Sequence, residues 1–323
     1  MRYVHIDGVP PISKIGLGTW QFGSREWGYG DAYAAGGARA IVRRALDLGV
    51  TLFDTAEIYA FGRSERILGE ALKGRRKDAF IATKLFPLLP IGPVVEQRAV
   101  ASAHRLGVDR IDLYQVHLPN PFVPDTAPMR GMRRLRDLGL VGEVGVSNYS
   151  LARWRQAEAA LGQRVLSNQV NYSLVSRRPE WGLIGYAEAT QRLVIAYSPL
   201  ARGLLSARYD PDHLPTGSAR KGSWLFLPEN LERASELFAT LREVAGAHDA
   251  SPAQIALAWT IRGPNVVAIP GASSVAQMES NAAAVDIELA SDEVAALSAV
   301  AEAFTPIRGV AALKRRLWRR SRS

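Results

Sequence analysis

Eight short β-rich runs alternate with amphipathic helical stretches along almost the whole chain, and this alternation constrains the fold more than any other feature. The strand candidates are Ile15–Gly18, Thr51–Asp54, Phe80–Lys84, Ile111–His117, Glu143–Ser147, Leu166–Asn171, Leu193–Ser198 and Val266–Pro270. Between them helical spacing predicts Ala38–Leu48, Ser64–Leu72, Val94–Leu106, Pro128–Leu138, Leu151–Ala160 and Glu180–Gln191. Strand followed by helix, repeated, requires parallel pairing with crossover helices. Two further helix starts are marked by Ser251-Pro252 with Gln254, a capping-box pattern, and by Ser291 with Asp292 and Glu293. Ahead of the first repeat, Tyr3–Ile6 and Ile12–Lys14 flank the turn Asp7-Gly8-Val9-Pro10 and predict a hairpin capping the barrel bottom. The stretch 201–228 has no helical period and carries glycine, proline and aromatic residues, which marks a functional loop.

An open doubly wound sheet shows the same alternation, and glycine spacing separates the two. No G-x-G-x-x-G follows a strand and opens a helix, Gly16 and Gly18 lack a third glycine, and no phosphate-loop motif occurs. The expected fold is therefore α/β, a (β/α)8 TIM barrel with a short N-terminal β-hairpin and additional C-terminal helices. A chain of 323 residues fits one such barrel over 1–305, followed by a basic tail over 306–323.

Composition narrows the functional classes. Hydrophobic residues at 47% and charged residues at 22% exclude a disordered chain, and no run of about 18 apolar residues offers a membrane span. The N-terminus shows no secretory pattern and there are no cysteines, so a cytoplasmic location without disulfides or thiolate chemistry is expected. The net charge of +9 is concentrated in the tail, where Arg308, Lys314, Arg315, Arg316, Arg319, Arg320 and Arg322 occur with no acid. The remainder is close to neutral, so no nucleic-acid partner is expected. The tail reads as a disordered end or as an amphipathic basic helix capable of weak contact with anionic membrane.

In a barrel, chemistry is carried at the carboxyl ends of the strands. Those ends offer Asp54 with Tyr59 shortly after, Lys84, His117, Ser147 with Asn148, Gln169, Tyr197 with Ser198, and Gly271. Period-two alternation places Leu52 with Asp54, Ala82 with Lys84, and Gln115 with His117. A lysine beside a tyrosine and a histidine forms an acid–base group, in which the cation is expected to lower the phenol pKa toward neutrality. The remaining histidines, His5, His104, His213 and His248, lack ligand spacing, and no metal is predicted.

The motifs Gly16-Leu17-Gly18-Thr19-Trp20, Phe53-Asp54-Thr55-Ala56-Glu57-Ile58-Tyr59, Ala82-Thr83-Lys84 and Asp112-Leu113-Tyr114-Gln115-Val116-His117 occur in order. They continue with Gly145-Val146-Ser147-Asn148, Gln169-Val170-Asn171-Tyr172-Ser173, Ala196-Tyr197-Ser198-Pro199-Leu200 and Ile269-Pro270-Gly271-Ala272. Over roughly residues 10 to 300 the chain resembles the aldo-keto reductases. The resemblance implies an NADP-linked oxidoreductase that reduces aldehydes or ketones with NADPH, NADH being possible. It implies Tyr59 as proton donor, Lys84 as its modulator, Asp54 as the residue that holds Lys84, and His117 as the group that orients the carbonyl. It also implies that Ser147, Asn148 and Gln169 hold the carboxamide, that Tyr197 stacks on the nicotinamide, and that Ser198, Leu200 and Gly203 line the pyrophosphate.

At the adenine end the resemblance assigns Gln277 and Asn281. The lysine and arginine that clamp the 2′-phosphate in one branch are replaced here by Gly271 and Gln277, with Ser273 and Ser274 nearby, which predicts a reduced preference for NADPH. Ser280 stands where a glutamate is frequent, Ala60 where a glycine is common and Leu118 where a tryptophan is frequent. Trp20, Leu118 and Trp224 are the expected substrate contacts, with Trp27, Phe86 and Phe226 as further candidates. The alternative implied by some relatives is a cofactor-binding redox sensor or accessory subunit with little turnover. Substrate identity and oligomeric state stay open.

Overall fold

The computed structural model describes residues 1–24 and 36–320. Trp27, singled out in the sequence, lies outside the described residues. An antiparallel pair, β1 (Tyr3–Val4) and β2 (Ile12–Ser13), precedes eight parallel strands. These are β3 (Leu17–Gly18), β4 (Leu52–Asp54), β5 (Phe80–Leu85), β6 (Ile111–Val116), β7 (Val141–Ser147), β8 (Ser167–Asn171), β9 (Leu193–Tyr197) and β10 (Val266–Ala268). They pair in sequential order. The sheet closes on itself where Gly16 N–H donates to Ala268 O at 2.8 Å and Ala268 N–H donates to Lys14 O at 2.9 Å.

That seam explains the two glycines flanking Leu17. A Cβ at Gly16 would stand 2.8 Å from Leu52 O, and one at Gly18 would stand 2.7 Å from Ile269 O. Only glycine lets β3 fit between β4 and β10 at these positions. β3 is correspondingly shorter than expected, with Ile15 contributing a single bridge to Ala268.

The crossover helices are α1 (Ala38–Asp47), α2 (Arg63–Leu72), α3 (Gly92–Leu106), α4 (Thr126–Asp137), α5 (Leu151–Leu161) and α6 (Leu183–Ala189). The helix expected over 180–191 is interrupted. A 3₁₀ turn at Arg178–Glu180 ends before Gly182, whose φ of 118° breaks the helical run. After β9 come α7 (Ser218–Lys221), α8 (Pro228–Arg233), α9 (Ser235–Ala247) and α10 (Pro252–Thr260). After β10 come α11 (Val275–Ala283), α12 (Ser291–Ala303) and α13 (Gly309–Arg320). The capping box at Ser251 and Gln254 is formed. At α12 the cap position is Ala290 rather than Ser291, and the Glu293 carboxylate accepts the Ala290 N–H at 2.8 Å.

Apolar side chains fill two layers. One lies between strands and helices, and the other fills the lower barrel, where Val4, Ile6 and Ile12 of the hairpin region meet Leu52, Phe80, Leu113, Leu193 and Val267. The hairpin thus plugs the amino end, leaving the carboxyl end open for chemistry.

Over Gly309–Arg320 the tail is helical rather than disordered. Ala312 is buried, and Arg315 reaches Glu229 of α8 at 3.3 Å. Its approach is tied down by Asn230, which donates to Ile307 O at 3.0 Å and accepts the Ile307 N–H at 2.7 Å. Among the described residues no helix is long and apolar enough to cross a membrane.

Candidate active site

Lys84, near the end of β5, is wholly buried. Its Nζ donates to Asp54 Oδ1 at 2.6 Å, to Thr55 O at 2.7 Å and to the Tyr59 hydroxyl at 3.4 Å. Asp54 receives a further bond at 2.6 Å from Gln169 Nε2, which comes from the opposite side of the barrel. These donors satisfy a buried charge pair that would otherwise be costly. Burial pushes the Asp54 carboxyl above the usual carboxylate range, against the pull of Lys84. Burial also opposes the charge on Lys84, yet the Asp54 carboxylate beside it holds the ammonium above its ordinary value.

The expected lowering of the Tyr59 pKa is not found. Burial pushes the phenol up, Asp54 pushes it the same way, and the opposing pull of Lys84 does not overcome them. The physical reason is burial: removing the phenol from water disfavours the phenolate by more than the charge of Lys84 favours it, and Asp54 adds to the burial. Tyr59 is consequently held as O–H, the form a proton donor needs.

The His117 ring meets the Tyr59 ring edge-on, centroid to centroid 5.8 Å, and Phe86 packs against its other neighbourhood at 6.4 Å. Burial, followed by the charge of Lys84, lowers the His117 pKa to about 3, so the imidazole is neutral across the physiological range. Its Nδ1 is buried with no partner among the described residues.

Several residues the sequence did not single out hold this arrangement. Glu57 accepts from Arg98 Nε at 3.0 Å and from the Phe86 N–H, which fixes the loop carrying Phe86. Thr19 donates to Asp54 O at 2.9 Å and its hydroxyl meets Ser64 at 2.8 Å, which ties the start of α2 to the end of β4.

A cavity of about 1,350 Å³ opens over the group. Asp54, Tyr59, His117, Ser147, Asn148, Gln169, Tyr197, Ser198, Leu200, Gly203, Gly271, Gln277 and Asn281 line it, as do Trp20, Leu118 and Trp224. Lys84 lies beneath the floor, and Ser273 is off the lining, where its N–H and hydroxyl donate to Gln277 Oε1 at 2.7 and 2.9 Å. Phe86 and Phe226 are also off the lining, and Phe226 is buried against Tyr209. Ser147 donates to Gln169 O at 2.9 Å, Asn148 Nδ2 to Ser147 Oγ at 3.0 Å, and Tyr197 hydroxyl to Asn148 Oδ1 at 2.9 Å. Trp20 lies 6.4 Å from the Tyr59 ring, centroid to centroid.

The cavity also carries a feature absent from the sequence expectations. Among the described residues, Arg63, Arg202, Arg208, Arg220 and Arg308 all line it, whereas Asp54 is the one acidic lining residue. Three of the five arginines belong to the 201–228 segment, so the signal was present in that loop's basic residues, not in its glycines and aromatics. The backbone there is unusual as well. Ala201, Arg202 and Gly203 take left-handed φ values of 47°, 61° and 102° in succession along the cavity wall.

The chain is similar to known proteins over nearly its whole length. The family model described as "Aldo/keto reductase family" matches residues 14–302. An uncharacterised oxidoreductase of Mycobacterium tuberculosis is 57% identical over 307 residues, covering 95% of each chain. The methylglyoxal reductase YeaE of Escherichia coli is 34% identical over 92% of this chain and 93% of its own. Among solved structures, a glycerol dehydrogenase from Gluconobacter oxydans superposes with a TM-score of 0.84 at 27% identity, covering 95% of this chain and 97% of that one. An aldo-keto reductase from Klebsiella pneumoniae, crystallised with NADPH, gives 0.75 at 29% identity over 95% and 96%. With the match running from the first barrel strand into the last helix of the barrel, the chain belongs to the aldo/keto reductase family.

Proposed function

We propose that the protein reduces an aldehyde or ketone with NADPH, Tyr59 supplying the proton. The observation that carries this reading is the shared hydrogen bonding of Lys84 Nζ to Asp54 and to Tyr59 at the floor of a cavity that His117 also lines. The residues present fit a dinucleotide. The cavity exceeds the 300–1,000 Å³ typical of small-ligand pockets, and among the described residues its five arginines against one already paired carboxylate suit a polyphosphate.

In this reading Ser147, Asn148 and Gln169 hold the carboxamide, Tyr197 stacks on the nicotinamide, and Ser198, Leu200 and Gly203 line the pyrophosphate. Gly271, Ser273, Gln277 and Asn281 form the adenine end. When bound, the reduced nicotinamide supplies the hydride. Tyr59 donates its proton to the carbonyl oxygen as negative charge develops there, and Lys84 steadies the phenolate that remains. His117, neutral, donates a hydrogen bond that orients the carbonyl without adding a competing charge. Trp20, Leu118 and Trp224 form the apolar wall against which the rest of the substrate packs.

The test is a carbonyl panel assayed by loss of reduced-nicotinamide absorbance with NADPH and NADH. The panel includes methylglyoxal, after which the Escherichia coli relative is named, and glycerol in the reverse direction. Sustained turnover is expected. Oxidation of one equivalent of cofactor followed by a stall would replace this reading with that of a redox sensor.

A further inference from the structure

Two neighbouring βα loops at the open end of the barrel each carry an uncharged run of six or seven residues. They are Phe86-Pro87-Leu88-Leu89-Pro90-Ile91 after β5 and Leu118-Pro119-Asn120-Pro121-Phe122-Val123-Pro124 after β6. They are bound to each other, because Asn120 Nδ2 donates to Pro87 O at 2.9 Å while Asn120 Oδ1 accepts the Phe122 N–H at 2.7 Å. Proline and this shared asparagine make one preordered ledge. Its tips face solvent, with Phe122 92% and Leu88 76% exposed. On the next loop Phe61 is 95% exposed and holds a left-handed φ of 54°, a conformation unfavourable for a bulky residue.

Cations flank the same opening. Arg63, Arg202 and Arg308 line the cavity together with Phe61 and Leu118. Arg308 stacks on Trp224 at 4.9 Å and leads directly into α13, and the chain after Arg308 carries six further basic residues and no acid. On α13 Val310 and Leu313, one turn apart, are exposed while Ala312 is buried. Apolar tips beside a cationic collar match the interface of an anionic bilayer. A second copy of the chain is a poorer occupant, because each copy carries +9 and the collars would repel.

We propose that the mouth of the barrel docks on an anionic lipid surface, with Leu88, Leu89, Phe61 and Phe122 entering the boundary between headgroups and acyl chains and α13 lying in the interface. Docked in this way, the cavity opens toward the lipid, and carbonyl compounds dissolved in it reach Tyr59 without crossing bulk water. This consequence for substrates rests on the reductase reading above; the docking does not.

The experiment is co-sedimentation of the full chain with vesicles of phosphatidylcholine alone or mixed with phosphatidylglycerol, over a salt series. Binding to the anionic vesicles and none to the neutral ones is expected, with incomplete release as salt rises. The double variant L88S/F122S, whose altered side chains do not line the cavity, should bind roughly tenfold or more weakly, as loss of inserted apolar side chains requires. Its turnover of a short water-soluble aldehyde should match that of the parent. Absence of vesicle binding by the parent overturns the proposal. So does unchanged binding by L88S/F122S alongside complete loss on deleting 309–323, which would reduce the contact to tail electrostatics. A concentration-dependent dimer that L88S/F122S dissociates would assign the ledge to a second copy and overturn it as well. Sedimentation is read without turnover, so an inactive protein that binds vesicles removes the reductase reading alone.

Discussion

Lys84 and Asp54 form an ion pair at 2.6 Å with side chains 0% and 2% exposed, on adjacent parallel strands at the floor of the cavity that Asp54 and Tyr59 line. The pair accounts for two properties of the site. It keeps a cation against the Tyr59 hydroxyl, and its Asp54 carboxylate adds to the burial that holds the phenol protonated until a substrate calls for the proton.

Tyr59→Phe removes the proton donor while keeping the ring that packs against Trp20 and His117. Carbonyl reduction should fall by roughly 10²- to 10⁴-fold, the span typical of a general acid. Cofactor affinity, followed by quenching of tryptophan fluorescence, should stay near that of the parent. Reduction of a good aldehyde at the parental rate would show that another group donates the proton.

Lys84→Met leaves Asp54 buried with its ionic partner gone. Unfolding by denaturant should show a loss of about 3–5 kcal/mol, the usual cost of breaking one side of a buried pair. Adding Asp54→Asn should restore much of that stability but none of the turnover. Recovery of both together would mean that the pair serves the fold alone.

His117 carries a prediction about pH. Its pKa is lowered to about 3 in the folded protein, whereas an unfolded histidine titrates near 6.5, so between these values the unfolded chain binds the extra proton. The stabilisation is therefore fully present above about pH 6.5 and is lost as pH falls toward 3, with a slope of up to about 1.4 kcal/mol per pH unit. His117→Gln should flatten this part of the stability curve. An identical slope in the variant would place the titrating group elsewhere.

NADPH should be preferred over NADH, because the arginines in the cavity offset the missing strand-end clamp. Gln277→Arg should strengthen NADPH binding by about tenfold, through a charge-assisted contact with the 2′-phosphate. The substitution also releases the Ser273 N–H and hydroxyl that Gln277 now accepts. NADH affinity should change little. Equal tightening for both cofactors would indicate a contact shared by the two rather than one at the 2′-phosphate.

What the sequence determined by itself is the part of the molecule written in short-range patterns. Eight βα repeats, the hairpin ahead of them, the Ser251 capping box and the order Asp54, Tyr59, Lys84, His117 were all legible, because hydrophobic period, turn chemistry and motif spacing are local properties. Tertiary structure decided what depends on closure and burial. Gly16 and Gly18 gain their reason only at the seam between β3 and β10, and Gln169 reaches Asp54 only because the barrel closes over 115 residues of sequence. The direction of the Tyr59 shift depends on how completely the phenol is desolvated, which outweighs the pull of Lys84 with Asp54 acting on the side of burial. Likewise, Arg63, Arg202, Arg208, Arg220 and Arg308 are scattered in the chain and become one cationic lining only when the strand-end loops and the tail converge on a single mouth. Charge and solvation act through space, and distances through space are set by the packed fold.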